Sequence, residues 1–330
     1  MREVYIHDIG SAVGGTTEYN DAATLGQSEA DWQRLTDKIG IRSRSIAGPG
    51  QYTSDLARAA TEALISRTSV HRDAIGTLVV CTQTPDHLIP GVASRLHGQL
   101  SLPQDCFVLD INQGCTGFVL GTQVMVNWLR ASGGNGILVN ADTYSKLIRR
   151  DDLTTRALFG DAAAATLYST RPGGLRIVDS HSFADGTGYN AFIAHGSALR
   201  SDTGAPSGIC MDGPGIFNFA LRRVPESISA ALDPHGLQLQ QLRMVLFHQA
   251  NSYMVGQLAR KLKLTPEQVP QNCENLGNTV SASIPLLLME QMPMLQPGDF
   301  VLAVGFGVGL SWGTVLLEYS EEGSLPPRGA

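Results

Sequence analysis

The feature that most constrains this chain is a repeated order of a short apolar run, a glycine-rich or polar turn, and a helical segment. In the first half the apolar runs lie at residues 78–82, 106–109 and 136–141, with helical segments at 53–66, 92–100 and 119–129. Strands that alternate with helices of about a dozen residues form parallel strand–helix–strand units. The order therefore predicts a layered α/β architecture, with buried strands at 78–82 and 106–109. It also predicts a first strand that opens at 4–6 and is broken by Gly10.

A similar order recurs after residue 170. It predicts strands at 175–182, 244–247 and 300–304, with helices at 216–232, 252–263 and 281–291. A chain of 330 residues is also too long for one small core. We therefore predict two halves, residues 1–170 and 171–330. The duplication is inferred from this layout alone, because the sequence shows no repeat of fixed period.

Composition excludes several classes of protein. The chain is 43% apolar and 16% charged, which is ordinary for a globular protein. Its net charge of −6 argues against a nucleic-acid surface. A membrane span needs a run of about 18 apolar residues, and the sequence has none. Five cysteines without paired spacing favour a reducing compartment and neither a disulfide framework nor a metal site. We therefore expect a cytoplasmic protein.

Cys115 lies in a glycine-containing turn between the apolar run 106–109 and the helix 119–129. First-turn amides and the helix dipole would favour its thiolate form, and Gly114 and Gly117 would keep the turn tight and accessible. A free cysteine is, however, often only a small buried hydrophobe. The local sequence therefore leaves open whether Cys115 is a reactive nucleophile or a buried structural residue.

Three motifs later in the sequence favour the interpretation of Cys115 as a nucleophile. His248 directly follows the predicted strand 244–247, Asn278 lies in a Gly-Asn pair, and a glycine-rich turn spans residues 305–313. Each is common by itself. With Cys115, in this order and with these local sequences, they resemble the thiolase-like condensing enzymes, and among them the β-ketoacyl-acyl-carrier-protein synthase III family. The resemblance extends over most of residues 40–318.

The resemblance implies a duplicated, five-layered α-β-α-β-α thiolase-like fold and an acyltransferase activity. Cys115 would take an acyl group from a thioester. A malonyl thioester on acyl carrier protein would then lose carbon dioxide, and His248 Nε2 and the Asn278 amide would stabilise the enolate oxygen. The backbone amides of Cys115 and Val308 would form the oxyanion hole. Gln83 stands where related hydroxymethylglutaryl synthases have a glutamate base, which favours decarboxylation.

Two alternatives remain at this stage. An acyltransferase of the same fold would pass the Cys115 acyl group to an alcohol or amine. Relatives of that kind can carry an acidic residue in place of the asparagine, so Asn278 favours condensation. A catalytically silent subunit of a heteromer would usually have lost part of the triad Cys115, His248 and Asn278, which this chain keeps.

The resemblance also implies partners. We expect a homodimer in which Ile89 reaches the acyl pocket of the neighbouring subunit, with Tyr144 and Phe159 as further pocket residues. No metal or cofactor is expected, because the substrates are acyl-coenzyme A or acyl carrier protein and a malonyl thioester. Candidates for contact with the acidic carrier protein are Arg222, Arg223, Gln249, Tyr253, Arg260 and Lys261.

One part of the family pattern is missing. Members that initiate fatty-acid synthesis clamp the adenine of coenzyme A between a tryptophan and an arginine. Those two positions hold Arg34 and Leu153 here, and Trp32 lies two places early. Since neither residue can rebuild that stack, acetyl-coenzyme A becomes a doubtful starter.

Overall fold

The computed structural model describes residues 2–25, 28–68, 70–200, 204 and 206–320. The strands are β1 (Tyr5–Val13), β2 (Thr16–Tyr19), β3 (Ser43–Ile46), β4 (Ile75–Cys81), β5 (Phe107–Ile111), β6 (Asn135–Asp142), β7 (Ala162–Ser169), β8 (Gly174–Ala184), β9 (Phe192–His195), β10 (Gly208–Met211), β11 (Met244–Phe247), β12 (Phe300–Gly307) and β13 (Ser311–Ser320). The helices are α1 (Ala22–Leu25), α2 (Glu29–Ile39), α3 (Thr53–Thr68), α4 (Val92–Gln99), α5 (Gly117–Ser132), α6 (Leu153–Arg156), α7 (Gly213–Leu232), α8 (Ser252–Leu262), α9 (Cys273–Leu276) and α10 (Ser283–Gln291). None of the described helices is both long and apolar enough to cross a bilayer.

The main sheet contains the same strand order twice. In the first run β4 is parallel to β6, while β7 is antiparallel to both β6 and β1. In the second run β11 is parallel to β12, while β13 is antiparallel to both β12 and β8. The runs join where β1 meets β8, and β5 extends the first run as a parallel edge strand. This layout has the duplicated plan that the sequence predicts, although the division after residue 170 stays a prediction.

Burial alternates along the central strands because successive side chains point to opposite faces of a sheet. In β4, Leu78 and Val80 pack under α3 and α4, whereas Val79 and Cys81 pack into the centre of the molecule. Both faces are covered, so the sequence appears as a continuous apolar run.

Helices form three layers around the two strand runs. Helices α3 and α4 cover the outer face of the first run, and α7 and α8 cover the outer face of the second. Helices α5 and α10 lie between the runs and supply fully buried residues such as Phe118 and Leu287. The molecule is therefore helix, sheet, helix, sheet and helix in order, and the predicted five-layered architecture is confirmed.

Two local expectations were wrong. Gly10 was expected to break the first strand, but β1 continues through it to Val13. Helix α3 packs directly on the strand there, and a Cβ on Gly10 would lie 2.4 Å from the Ala60 carbonyl oxygen. The run 106–109 was expected to be fully buried. It instead begins the edge strand β5, whose side chains are mostly half-exposed.

Candidate active site

A mostly apolar cavity of about 440 Å³ lies beyond the carboxyl ends of the central strands. Cys115, His248 and Asn278 all line it, although they are far apart in the sequence. Sites in open α/β sheets form at such strand ends. The structure thus brings the three predicted residues to one cavity.

Cys115 lies between β5 and the start of α5, and the turn after β12 passes directly over it. A Cβ on Gly307 would lie 2.7 Å from the Cys115 Cβ and 2.9 Å from its Sγ, so only glycine permits this approach. The approach brings the backbone amide of Val308 into hydrogen-bonding contact with the thiol, together with the amide of Cys115 itself. These are the two amides predicted to form the oxyanion hole.

The protonation state of Cys115 differs from the sequence-based expectation. Burial raises the pKa of its thiol to about 12, and the charge of Asp142 adds to that rise. The hydrogen bonds from the two backbone amides lower the pKa but only partly compensate. Burial therefore favours the thiol over the expected thiolate, and attack on an acyl group requires removal of this proton.

His248 is fixed by the strands and by the start of α10. Its backbone amide donates to Val304 O at 2.8 Å, and its ring Nδ1 lies 2.7 Å from Ser283 Oγ. Ser283 Oγ also lies 3.0 Å from Val280 O, so its hydroxyl can donate to either group and both ring tautomers are satisfied. Burial lowers the pKa of His248 to about 3, which keeps the imidazole neutral at working pH.

Asn278 is held by the first half of the chain. Its backbone amide donates to Leu158 O at 2.8 Å, and its carbonyl accepts from the Gly160 amide at 3.0 Å. The side-chain Oδ1 accepts from the Val280 amide at 3.0 Å. Because Oδ1 is engaged, the Nδ2 group is left to donate into the cavity. Asn278 is therefore oriented as a neutral hydrogen-bond donor.

Only one of the three predicted acyl-pocket residues lines the cavity. Phe159 does so, together with Phe192, which the sequence did not single out. Tyr144 is 2% exposed and lies behind this wall, with its ring centroid 5.2 Å from that of Phe159 and its hydroxyl donating to Gln83 Oε1 at 2.5 Å. Ile89 is 87% exposed and does not line the cavity of its own chain.

The predicted docking residues differ in whether they can contact a carrier protein at the cavity. Gln249 is buried and both ends of its amide are engaged, with Phe247 O and the Asn272 amide, so it cannot contact a carrier protein. Arg223 pairs with Glu226 at 2.9 Å and lies over the Trp312 ring. Arg222 is exposed but lies about 140° around α7 from the cavity-lining Phe217.

Tyr253, Arg260 and Lys261 of α8 remain exposed, and Arg260 and Lys261 form a basic face in the last turn of this helix. Tyr253 lines the cavity and stacks on Phe217, with ring centroids 5.6 Å apart. Arg260 follows seven residues later on α8, which places it on the same helix face about 10 Å further along. Lys38 of α2 also lines the cavity, and sequence reasoning missed it because it resembles an ordinary solvated helix residue.

Trp32 and Arg34, the described residues nearest the tryptophan position of the family's adenine clamp, do not form such a clamp. Trp32 is 3% exposed and packs inside the protein, so its indole cannot stack on a nucleotide at the surface. The Arg34 side chain is exposed and lies 3.6 Å from Asp31. These contacts agree with the loss of the clamp inferred from the sequence.

The duplicated five-layered fold, with a cysteine, a histidine and an asparagine at one cavity, defines the class of thiolase-like condensing enzymes. The family model for 3-oxoacyl-[acyl-carrier-protein] synthase III matches residues 109–186, and the model of its C-terminal part matches residues 232–319. The β-ketoacyl-[acyl-carrier-protein] synthase III of Lactococcus lactis is 32% identical over 308 residues, which cover 90% of this chain and 93% of the relative.

Solved structures agree with these matches. A 3-oxoacyl-(acyl-carrier protein) synthase of Burkholderia xenovorans is 32% identical with a TM-score of 0.91, covering 96% of this chain and 94% of the other. A priming β-ketosynthase of a polyketide biosynthetic pathway shares the fold with a TM-score of 0.86 at 24% identity, over 98% of both chains. This chain belongs to the 3-oxoacyl-[acyl-carrier-protein] synthase III family.

The raised thiol pKa predicts how Cys115 reacts in the free protein. Its thiolate fraction should increase with pH throughout the neutral range, so alkylation by iodoacetamide should accelerate from pH 7 to pH 10 without a plateau. Intact-mass analysis over time measures this rate, and Cys115→Ala identifies the adduct. A plateau at or below pH 8 would show that the helix dipole already produces the thiolate.

Proposed function

We propose that this protein is a β-ketoacyl-acyl-carrier-protein synthase III type of condensing enzyme in fatty-acid or specialised, polyketide-like metabolism. The observation that carries the proposal is one apolar cavity shared by the Cys115 thiol, a neutral imidazole, the oriented Asn278 amide and two backbone amides at the thiol. Each group has a place in a two-step acyl transfer and condensation.

In the first step Cys115 Sγ attacks the carbonyl carbon of an acyl thioester. The bond from that carbon to the carrier sulfur breaks as the new carbon–sulfur bond forms. His248 can take up the thiol proton and pass it to the leaving thiolate within this same step, since its lowered pKa does not sustain an imidazolium. The amides of Cys115 and Val308 would hold the oxyanion, and no net proton is consumed.

In the second step a malonyl thioester loses carbon dioxide, and the electron pair of the broken bond forms an enolate. Asn278 Nδ2, and His248 Nε2 when Ser283 donates to Nδ1, would stabilise the enolate oxygen. The enolate carbon attacks the acyl-Cys115 carbonyl, a carbon–carbon bond forms and the bond to sulfur breaks. The released thiolate then takes one proton from solvent.

The character of the cavity supports decarboxylation over catalysis by a base. Among the described residues that line it there is no aspartate or glutamate. Decarboxylation needs no strong base, because the departing carbon dioxide leaves the electron pair behind. The alternative acyltransferase would require a base for an alcohol or amine. Asn278 cannot serve in that role, and the lowered pKa of His248 makes it a weak base for such a group.

The proposed acyl donor is acyl carrier protein. The basic face of Arg260 and Lys261 follows the cavity-lining Tyr253 on α8, and Lys38 lines the cavity itself, on a chain of net charge −6. Such a local basic face suits an acidic carrier.

The reaction needs no metal or cofactor. The five cysteines are free thiols, which supports a reducing, cytoplasmic compartment.

The proposed assembly is a homodimer formed at the edge strand β5. Phe107 of this strand stacks on Trp128 at 3.8 Å, and both rings remain partly exposed. Leu88 and Ile89 are exposed near the same edge. A second copy would cover these groups and pair the open strand edge. Sedimentation of the purified protein at its chain mass of 35.2 kDa would contradict the dimer.

Cys115 should be the acylation site. After exposure to a panel of acyl thioesters, intact-mass analysis should show one acyl adduct on the parent protein and none on Cys115→Ala. Cys210→Ala is the matched control, because this half-buried thiol lies outside the cavity lining, and it should acylate normally. An adduct that persists on Cys115→Ala would refute the mechanism.

Asn278 should matter for the second step far more than for the first. Asn278→Ala should still become acylated but should release carbon dioxide from malonyl-carrier protein about 10²–10³-fold more slowly, because one enolate donor is lost. Asn272→Ala is the control, since its side chain pairs with Glu290 at the surface. Decarboxylation by Asn278→Ala at the parent rate would favour the acyltransferase.

The carrier should determine the rate of acylation. The same acyl group should reach Cys115 faster from acyl carrier protein than from coenzyme A, and salt should weaken this advantage because the Debye length is about 10 Å at 0.1 M. Arg260→Glu should slow transfer from the carrier. Arg243→Glu, which precedes β11 at the opposite end of the strand, should not. Equal or faster transfer from coenzyme A would contradict the prediction.

A further inference from the structure

Asp142 ends strand β6 and is a fully buried carboxylate close to the proposed site. One carboxylate oxygen accepts from the backbone amide of Gln83 at 2.8 Å, and also from the Thr82 and Thr84 hydroxyls at 3.2 and 3.3 Å. The other oxygen accepts from the Ser281 hydroxyl at 2.6 Å and from the Ser281 amide at 3.4 Å. A buried charge is tolerated because these donors satisfy it.

These bonds join two parts of the chain that are distant in sequence. Residues 82–84 follow β4 in the first half, whereas Ser281 belongs to the segment that follows Asn278. The chain of contacts runs from Asp142 to Ser281, then through the backbone to Val280, whose amide holds the Asn278 side chain. Asp142 thus helps to fix the direction in which Asn278 Nδ2 points.

The same carboxylate acts electrostatically on the nucleophile. The titratable groups that act on or adjoin the Cys115 thiol are Asp142, His248, Tyr144 and Cys81, and Lys38 and Tyr253 line the same cavity. His248 is neutral at working pH, and burial raises the pKa of Tyr144 and of Cys81 well above their usual values. Asp142 therefore supplies the negative charge in this set at neutral pH, and that charge opposes formation of the Cys115 thiolate.

The geometry points to Asp142 as a positioning residue that acts in opposite senses on the two steps of the proposed reaction. Its hydrogen bonds hold the Asn278 segment for the condensation, while its charge restrains the Cys115 thiolate that performs the acylation. This inference rests on the proposed function for the condensation step. The effect on the thiol concerns the free protein and can be measured without a substrate.

The test compares Asp142→Asn, which removes the charge and disturbs the hydrogen bonds, with Ser281→Ala, which removes one hydrogen bond and keeps the carboxylate. The alkylation profiles are compared at alkaline pH, because loss of the Ser281 hydrogen bond raises the pKa of Asp142 further. Asp142→Asn should shift the alkylation profile of Cys115 to lower pH. It should also slow release of carbon dioxide from malonyl-carrier protein, about 10- to 100-fold if Asn278 moves by about 1 Å. Ser281→Ala should slow decarboxylation similarly, with acylation and the alkylation profile close to those of the parent.

Two results would overturn the inference. One is an unchanged alkylation profile in folded Asp142→Asn, and the other is a Ser281→Ala protein in which decarboxylation is unchanged or both steps are slowed equally. If Asp142→Asn does not fold, the parent protein tests the charge. Burial raises the pKa of Asp142 to about 6, so its charge develops as pH rises through that value. The logarithm of the alkylation rate should then rise with a slope below one near pH 6, and a uniform slope of one would overturn the inference.

Failure of the proposed function would give different results from failure of this inference. A protein that neither acylates Cys115 nor decarboxylates malonyl thioesters would remove the condensation half of the inference. The shift of the alkylation profile would still decide whether Asp142 restrains the thiol.

Discussion

The site depends on the contact between Gly307 and Cys115, because this contact brings the second half of the chain onto the nucleophile of the first. Any side chain at residue 307 would occupy the space of the Cys115 Sγ. Its absence lets the turn after β12 place the Val308 amide at the thiol, beside the amide of Cys115. The central layer of α5 and α10 holds the two halves at this distance through a fully buried core.

Burial at the site has two consequences that act against each other. It keeps His248 neutral and leaves the Asn278 amide in a place of low dielectric, where neutral donors stabilise a developing oxyanion strongly. The same burial raises the pKa of the Cys115 thiol and so disfavours the nucleophile. The proposed reaction resolves this conflict by moving the thiol proton only as the acyl carbon is attacked.

The sequence predicted the parts of the structure that depend on local pattern. The order of strands and helices, the layered fold, and the meeting of Cys115, His248 and Asn278 follow from periodicity, turn residues and family motifs. It could not predict that Gly10 continues a strand, because that depends on how closely α3 packs. Nor could it show that Tyr144 and Gln249 are turned away from the surfaces assigned to them, since side-chain direction is set by distant neighbours.

The role of Asp142 could not be predicted from the sequence for a similar reason. Nothing local connects the end of β6 with Ser281, and the contact exists only because the two halves pack together. Lys38 was missed because a lysine on a short amphipathic helix does not reveal which cavity lies beside it. Contacts between residues of the two halves can be identified only from the structure.

The proposed reaction forms a carbon–carbon bond with loss of carbon dioxide. The most direct measurement supplies acylated protein with malonyl-carrier protein labelled with carbon-13 in all three malonyl carbons, followed by mass analysis of the carrier. Decarboxylative condensation should give a β-ketoacyl carrier that retains two labelled carbons, together with one equivalent of labelled carbon dioxide. A carrier that keeps all three labelled carbons, with the acyl group transferred to an oxygen or nitrogen acceptor, would contradict it.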